Sequence, residues 1–152
     1  FSKVKDIVNN DILLTSFSIL FANYKGSLKT LVEGAKEINK LKDNDFILIS
    51  EGCTHHRQCE DIGSVKIPLW LQKYTNKKLN FEFSQGNDFP KNLEKYALVI
   101  HCGACMLNEK EMKSRILKVK QKELKIVNYG ILIAYMNGIL ERALEFFPEV
   151  EP

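Results

Sequence analysis

Apolar residues along this chain fall into two alternating kinds of run. Ser27 precedes Leu28, Leu31, Val32, Ala35, Ile38 and Leu41, apolar positions three and four apart behind a hydroxyl that can accept a free backbone N–H. That spacing predicts an amphipathic helix ending in the turn Lys42-Asp43-Asn44-Asp45. Phe46-Ile47-Leu48-Ile49 is instead a short continuous apolar run between turn residues, the pattern of a strand covered on both faces. It stops at Glu51-Gly52-Cys53. Pro68 can open a helix through Leu69, Trp70 and Tyr74, because its missing N–H would be unpaired there anyway. Leu79, Phe81 and Phe83 alternate as a second strand. Beyond the loop Gly86-Asn87-Asp88, the pattern predicts a short helix from Pro90, then a third buried strand, Ala97-Leu98-Val99-Ile100, running into His101-Cys102. Asn108 and Glu111 have the spacing of a capping box opening a helix to about Gln121. Leu124-Lys125-Ile126-Val127 reads as a fourth strand, and Ile131, Leu132, Tyr135, Ile139, Ala143 and Phe147 as one final helix closed by Pro148.

Strands alternating with helices define an α/β class: a parallel sheet of about four strands flanked by helices, doubly wound and Rossmann-like. In such sheets ligands lie beyond the carboxyl ends of the strands, where the strand order reverses. The first and third strands each deliver a cysteine at that end. If these strands are neighbours, Cys53 and Cys102 meet despite their separation in sequence, and the turn Asn128-Tyr129-Gly130 supplies a wall of the same crevice.

Composition narrows the picture. With 152 residues, 45% of them apolar, the chain can bury one core, and its net charge of +3 from 22 basic and 19 acidic residues lacks the excess of a nucleic-acid binder. Ile12 to Ala22 is too short and too interrupted to span a bilayer, and is expected in the core. Neither nucleic acid nor membrane is an expected partner. A start at Phe1, without a charged leader and cleavage site, reads as a piece of a longer protein. The lysines at 110, 113, 118, 120 and 122 read as a solvated helix face. Met106, Leu107 and Met112 read as core formers. Glu51, Glu60, Asp61 and Glu141 read as solvated carboxylates.

The four cysteines lie beside the chain's three histidines, in Cys53-Thr54-His55-His56 with Cys59 following, and in His101-Cys102-Gly103-Ala104-Cys105. Without a secretory leader this pattern favours a reducing cytoplasm and a metal over disulfides. A C-x-x-C loop lets two thiolates reach one metal centre, and iron–sulfur clusters are held by thiolates, usually four. Cys53, Cys102 and Cys105 leave one position for a histidine, a carboxylate, water or a partner's ligand. His55 and His101 are the candidates for that position, or else hydrogen-bonding neighbours of the ligands, ahead of His56. Cys59 fits neither short chelate and is expected nearby but unbound. Two rivals remain. Three cysteines and a histidine also make a closed structural zinc site. Cys102 and Cys105 also have the spacing of a thiol–disulfide oxidoreductase, although such thiols stand at a helix N-terminus and the predicted cap at Asn108 falls beyond both.

Cys53-x-His55, a gap of 45 residues, then His101-Cys102-x-x-Cys105 resembles the signature of the HydF family of FeFe-hydrogenase maturation proteins. The resemblance extends through Leu14 to Phe21, Glu33-Gly34-Ala35, Asp61-Ile62-Gly63, Val65 to Pro68, Asp88-Phe89-Pro90, Val99 to Gly103, Asn128-Tyr129-Gly130 and Leu140 to Ala143. Members of that family carry a GTPase domain, a dimerisation domain and a C-terminal cluster domain. The resemblance implies that residues 15–152 are the cluster domain and 1–14 a linker or the end of a preceding dimerisation domain. It implies a 4Fe–4S cluster on Cys53, Cys102 and Cys105 with one exchangeable site, where a diiron precursor can dock. The chain would be a scaffold, not an enzyme, serving the FeFe-hydrogenase and other maturation proteins as part of a homo-oligomer. It has no G-x-x-x-x-G-K-[ST] phosphate loop, so GTP hydrolysis would belong to the full-length protein.

Overall fold

The computed structural model describes residues 2–9, 11–52 and 61–150. In chain order the elements are α1 (Ser2–Ile7), α2 (Phe17–Lys25), α3 (Leu28–Lys36), a 3-10 turn (Glu37–Lys40), β1 (Phe46–Glu51), a π turn (Ile62–Lys66), α4 (Ile67–Thr75), β2 (Asn80–Gln85), β3 (Tyr96–His101), α5 (Glu109–Gln121), β4 (Ile126–Asn128), α6 (Tyr129–Met136) and α7 (Leu140–Leu144). The strands form one parallel sheet in the order β2-β1-β3-β4, as the α/β pattern predicts. The chain leaves β1 to one side for β2 and returns to the other side for β3, so strand order reverses between β1 and β3. Ile49 pairs with Ile100, and Ser50 with His101. These pairings bring the ends of both strands level.

Ile47, Leu48 and Ile49 on β1 and Leu98, Val99 and Ile100 on β3 are buried, which explains why these runs are continuously apolar rather than alternating. Leu31, Val32 and Ala35 of α3 and Met112, Ile116 and Val119 of α5 are buried in the same core. α3 lies so close to β4 that a Cβ on Gly34 would stand 1.9 Å from the Ile126 carbonyl oxygen. Only glycine permits that approach.

Several predicted boundaries move. No helix starts at Pro90: the Asn92 side chain accepts the Glu94 N–H, and Phe89 and Leu93 are drawn into the core, so residues 86–95 cross to β3 as turns. Leu124 belongs to the closure of α5, its N–H bonding the Val119 carbonyl, and the fourth strand therefore starts two residues later. The final helix is two helices, interrupted where Gly138 takes a φ of 63° and the Ile139 N–H turns back to Ala134. In the stretch expected as core, Ile19 and Ala22 are buried, whereas Ile12, Leu13, Phe17 and Leu20 are exposed: the first two precede α2, and α2 packs one side only against α3, α5 and α6. Met106 is exposed in a loop, while Met112 is core. No helix among the described residues is long and apolar enough to cross a membrane.

Candidate metal centre

The carboxyl ends of β1 and β3 meet through sulfur. The backbone N–H of Gly52, the residue before Cys53, donates to Cys102 Sγ at 3.1 Å, while the Cys102 N–H extends the sheet to the Ser50 carbonyl at 2.9 Å. Cys102 is half-buried and Cys105 exposed, three residues on. Cys53, His55, His56, Cys59 and Glu60 lie outside the described residues. Among the described residues, no three His, Cys, Asp or Glu side chains converge as a metal-holding group.

The loop from Cys102 to Leu107 is fastened by a residue with no part in the sequence motif. Lys25, at the end of α2, donates its ammonium to the carbonyls of Ala104 at 2.9 Å, Cys105 at 3.0 Å and Leu107 at 2.8 Å. These three acceptors match the three donors of an ammonium. Its charge also stands 4.9 Å from the centre of the Phe21 ring. Ala104 takes a φ of 56°, and the Leu107 N–H returns to its carbonyl, giving a tight turn that includes Cys105.

His101 is fully buried. Its Nδ1 lies 2.8 Å from the Cys102 carbonyl and its Nε2 lies 3.1 Å from an Arg115 guanidinium nitrogen. A guanidinium can only donate and a carbonyl can only accept, so Nε2 is the acceptor and Nδ1 carries the proton. Both ring nitrogens are engaged. Burial chiefly, with the Arg115 charge adding to it, holds the imidazole neutral down to about 4. Arg115 is itself fully buried. It donates to Glu111 at 2.9 Å and to the Gly86 carbonyl at 2.6 Å, and its guanidinium lies 5.1 Å from the Phe89 ring centre. One guanidinium from α5 thus joins the end of β2 to the end of β3, the strands flanking the one that leads to Cys53. The predicted cap at Asn108 holds, with its side chain accepting the Glu111 N–H at 2.8 Å, but the Glu111 carboxylate turns to Arg115 instead of completing a capping box.

The far wall is built by the turn after β4. Asn128 caps α6 by accepting the Ile131 N–H at 2.8 Å and donates to the Ser18 carbonyl at 2.9 Å, directing Tyr129 towards β1. The Tyr129 hydroxyl is 3.4 Å from Glu51 Oε1. Burial, followed by the charges of Glu51, Cys102 and Asp61, raises the phenol far above its ordinary range, so it remains a donor. Glu51 is 3% exposed, against the expectation of a solvated carboxylate. It is held inside by the turn that carries Tyr129. Gly63 approaches the pair so closely that a Cβ there would be 2.3 Å from the Tyr129 oxygen. Asp61 accepts the N–H groups of Gly63 and Ser64, both at 3.1 Å, anchoring the π turn beside the site.

A parallel α/β domain with a cysteine at its β1–β3 switch point is a recognised place for a ligand site. The family model described as the hydrogen maturase F tetramerization domain matches residues 29–146. The chain belongs to this family, and hence to the hydrogenase-maturation proteins. No curated protein matches it. The family description concerns assembly.

Proposed function

We propose that this domain is a scaffold for a 4Fe–4S cluster in FeFe-hydrogenase maturation, held by Cys53, Cys102 and Cys105 within an assembly of identical chains. The Gly52 N–H on Cys102 Sγ carries the reading, because it links the residue before one proposed ligand to the sulfur of another at the sheet's switch point. The donor set fits the group. An amide N–H directed at sulfur favours the thiolate, and hydrogen bonds to ligating sulfurs tune a cluster's potential. Cys102 and Cys105 share a tight loop whose carbonyls are occupied by Lys25, leaving the sulfurs as its donors to metal. When bound, a 4Fe–4S cluster offers an iron corner that three thiolates leave open to exchange, and a diiron precursor would be its cargo there. His101, with both nitrogens engaged, supports the Cys102 backbone, whereas His55 is the histidine proposed for the fourth position.

Thiol–disulfide exchange finds less support. α5 starts at Glu109, and Asn108 itself caps the N-terminal amides that would activate a thioredoxin-type cysteine. The compartment consistent with thiolate ligands is the reducing cytoplasm, and the proposed partners are the hydrogenase and its other maturation proteins. The GTPase activity implied by the family resemblance would lie in the full-length protein.

The test is ligand exchange at the proposed open corner. Excess imidazole or cyanide added to the reduced, reconstituted protein should change its electron paramagnetic resonance spectrum. His55→Ala should alter that response while leaving the cluster assembled. An unchanged wild-type spectrum would mean that the fourth corner is closed.

A further inference from the structure

A groove of about 600 Å³ lies between α4 and the α6–α7 corner, lined by Trp70, Lys73, Tyr74, Ile133, Met136 and Ile139. It has no part in the candidate metal centre. Trp70 and Tyr74 are one helical turn apart and share a face of α4, where they are 41% and 44% exposed. Leu69 beside them is 61% exposed, and Ile62 and Val65 extend the apolar surface along the preceding turn. Exposed apolar residues contiguous over such a distance mark an interaction surface. Tryptophan and tyrosine are the side chains that protein interfaces favour. Lys73 is the one charged residue described in the lining and Asn137 its one amide, fewer convergent polar groups than orient a small ligand.

We propose that this α4 face is where one copy of the chain meets a second, in a contact symmetric about a two-fold axis with Trp70 of each copy against the other's groove. The inference rests on the reading of the domain as part of an assembly of identical chains. An isologous contact requires the projecting group and its receiving surface on the same patch, and Trp70 and Tyr74 stand beside Ile133, Met136 and Ile139 in that way. The family match sets this patch ahead of the exposed residues on α2. Residues 29–146 contain the groove, whereas Phe17, Leu20 and Tyr24 on α2 lie outside them. One such face closes as a pair, so a tetramer also needs a second, different contact.

Trp70 is the only tryptophan in the chain, so its emission reports this face directly. Mass by light scattering and tryptophan emission should be followed together through a dilution series of the whole chain. Dissociation should lower the mass and move the emission to longer wavelength as water reaches Trp70. Tyr74→Glu should halve the wild-type mass, by removing one of the two contacts, with an unchanged circular dichroism spectrum, while Tyr24→Glu should associate as the wild type does. An oligomer that dissociates fully to monomers without moving the emission, or whose mass Tyr74→Glu leaves unchanged, would overturn this face and leave the assembly reading intact. A wild-type chain that is monomeric throughout would overturn both, without touching the cluster, which is read from iron content.

Discussion

Arg115 shows how much of the site depends on one side chain remote from the motif. It is buried and donates to a histidine, a carboxylate and a backbone carbonyl. Removing a buried, hydrogen-bonded charge leaves its partners unsatisfied, so Arg115→Leu should lower unfolding stability by roughly 2–4 kcal/mol in urea denaturation. Arg115→Lys, which keeps the charge but not the fork, should lose less. His101 adds a pH dependence with a definite sign. Its native proton affinity is depressed to about 4, whereas the unfolded chain takes the proton near 6.5. Its contribution is complete above pH 6.5 and is lost as pH falls towards 4, a decline of roughly 3 kcal/mol if no other group compensates. Arg115 and Glu111 are the charged groups facing it. Urea midpoints of the metal-free protein at pH 7 and pH 5 should differ more in the wild type than in His101→Gln; equal differences would remove His101 as the cause. At the thiols, Cys53→Ala, Cys102→Ala and Cys105→Ala should each abolish stable iron retention while Cys59→Ala should not. An equal requirement for Cys59 would make the site four-thiolate. The Cys102–Cys105 loop could be singled out from sequence because its spacing is local. Lys25 and Arg115 were not: the lysine meets Ala104 across 79 residues, and such pairing leaves no periodicity in sequence. Glu51 was misread for a related reason, since it is buried beside Tyr129, 78 residues away.

Among the elements, buried strands were the easiest to read. β1 and β3 are covered on both faces, so the continuous apolar runs Phe46 to Ile49 and Ala97 to Ile100 carried the signal without help from neighbours. Helix starts at Ser27 and Asn108 were legible because each cap is a contact three residues long, to Thr30 and Glu111. Ends and interruptions were less so. The apolar spacing from Ile131 to Phe147 continues through Gly138, and only the φ of 63° there divides it into α6 and α7. The missing helix after Pro90 reflects a similar limit, because burial of Phe89 and Leu93 is a tertiary effect. α3 gives a direct test of element packing. Gly34→Ala places a methyl against the Ile126 backbone, which cannot yield as a side chain can, so it should destabilise the protein by about 1–3 kcal/mol. Thermal unfolding decides this; an unchanged midpoint would mean that α3 and β4 separate readily.

For the whole molecule, the order β2-β1-β3-β4 turns a sequence motif into a site. Two halves of the motif, 45 residues apart between His55 and His101, follow strands that are neighbours in space. The neighbouring helices fasten that meeting point: α2 through Lys25, α5 through Arg115, and α6 through Tyr129. The α4 face lies on another part of the same domain, so the proposed pairing and the proposed cluster would not compete for surface. The reading as a cluster scaffold turns on one measurement: iron, acid-labile sulfide and zinc per chain in protein purified without oxygen, together with its visible spectrum. The account predicts about four irons and four sulfides per chain, as the cluster's composition requires, with broad brown absorption. One zinc per chain in a colourless protein, with iron and sulfide absent, would contradict it.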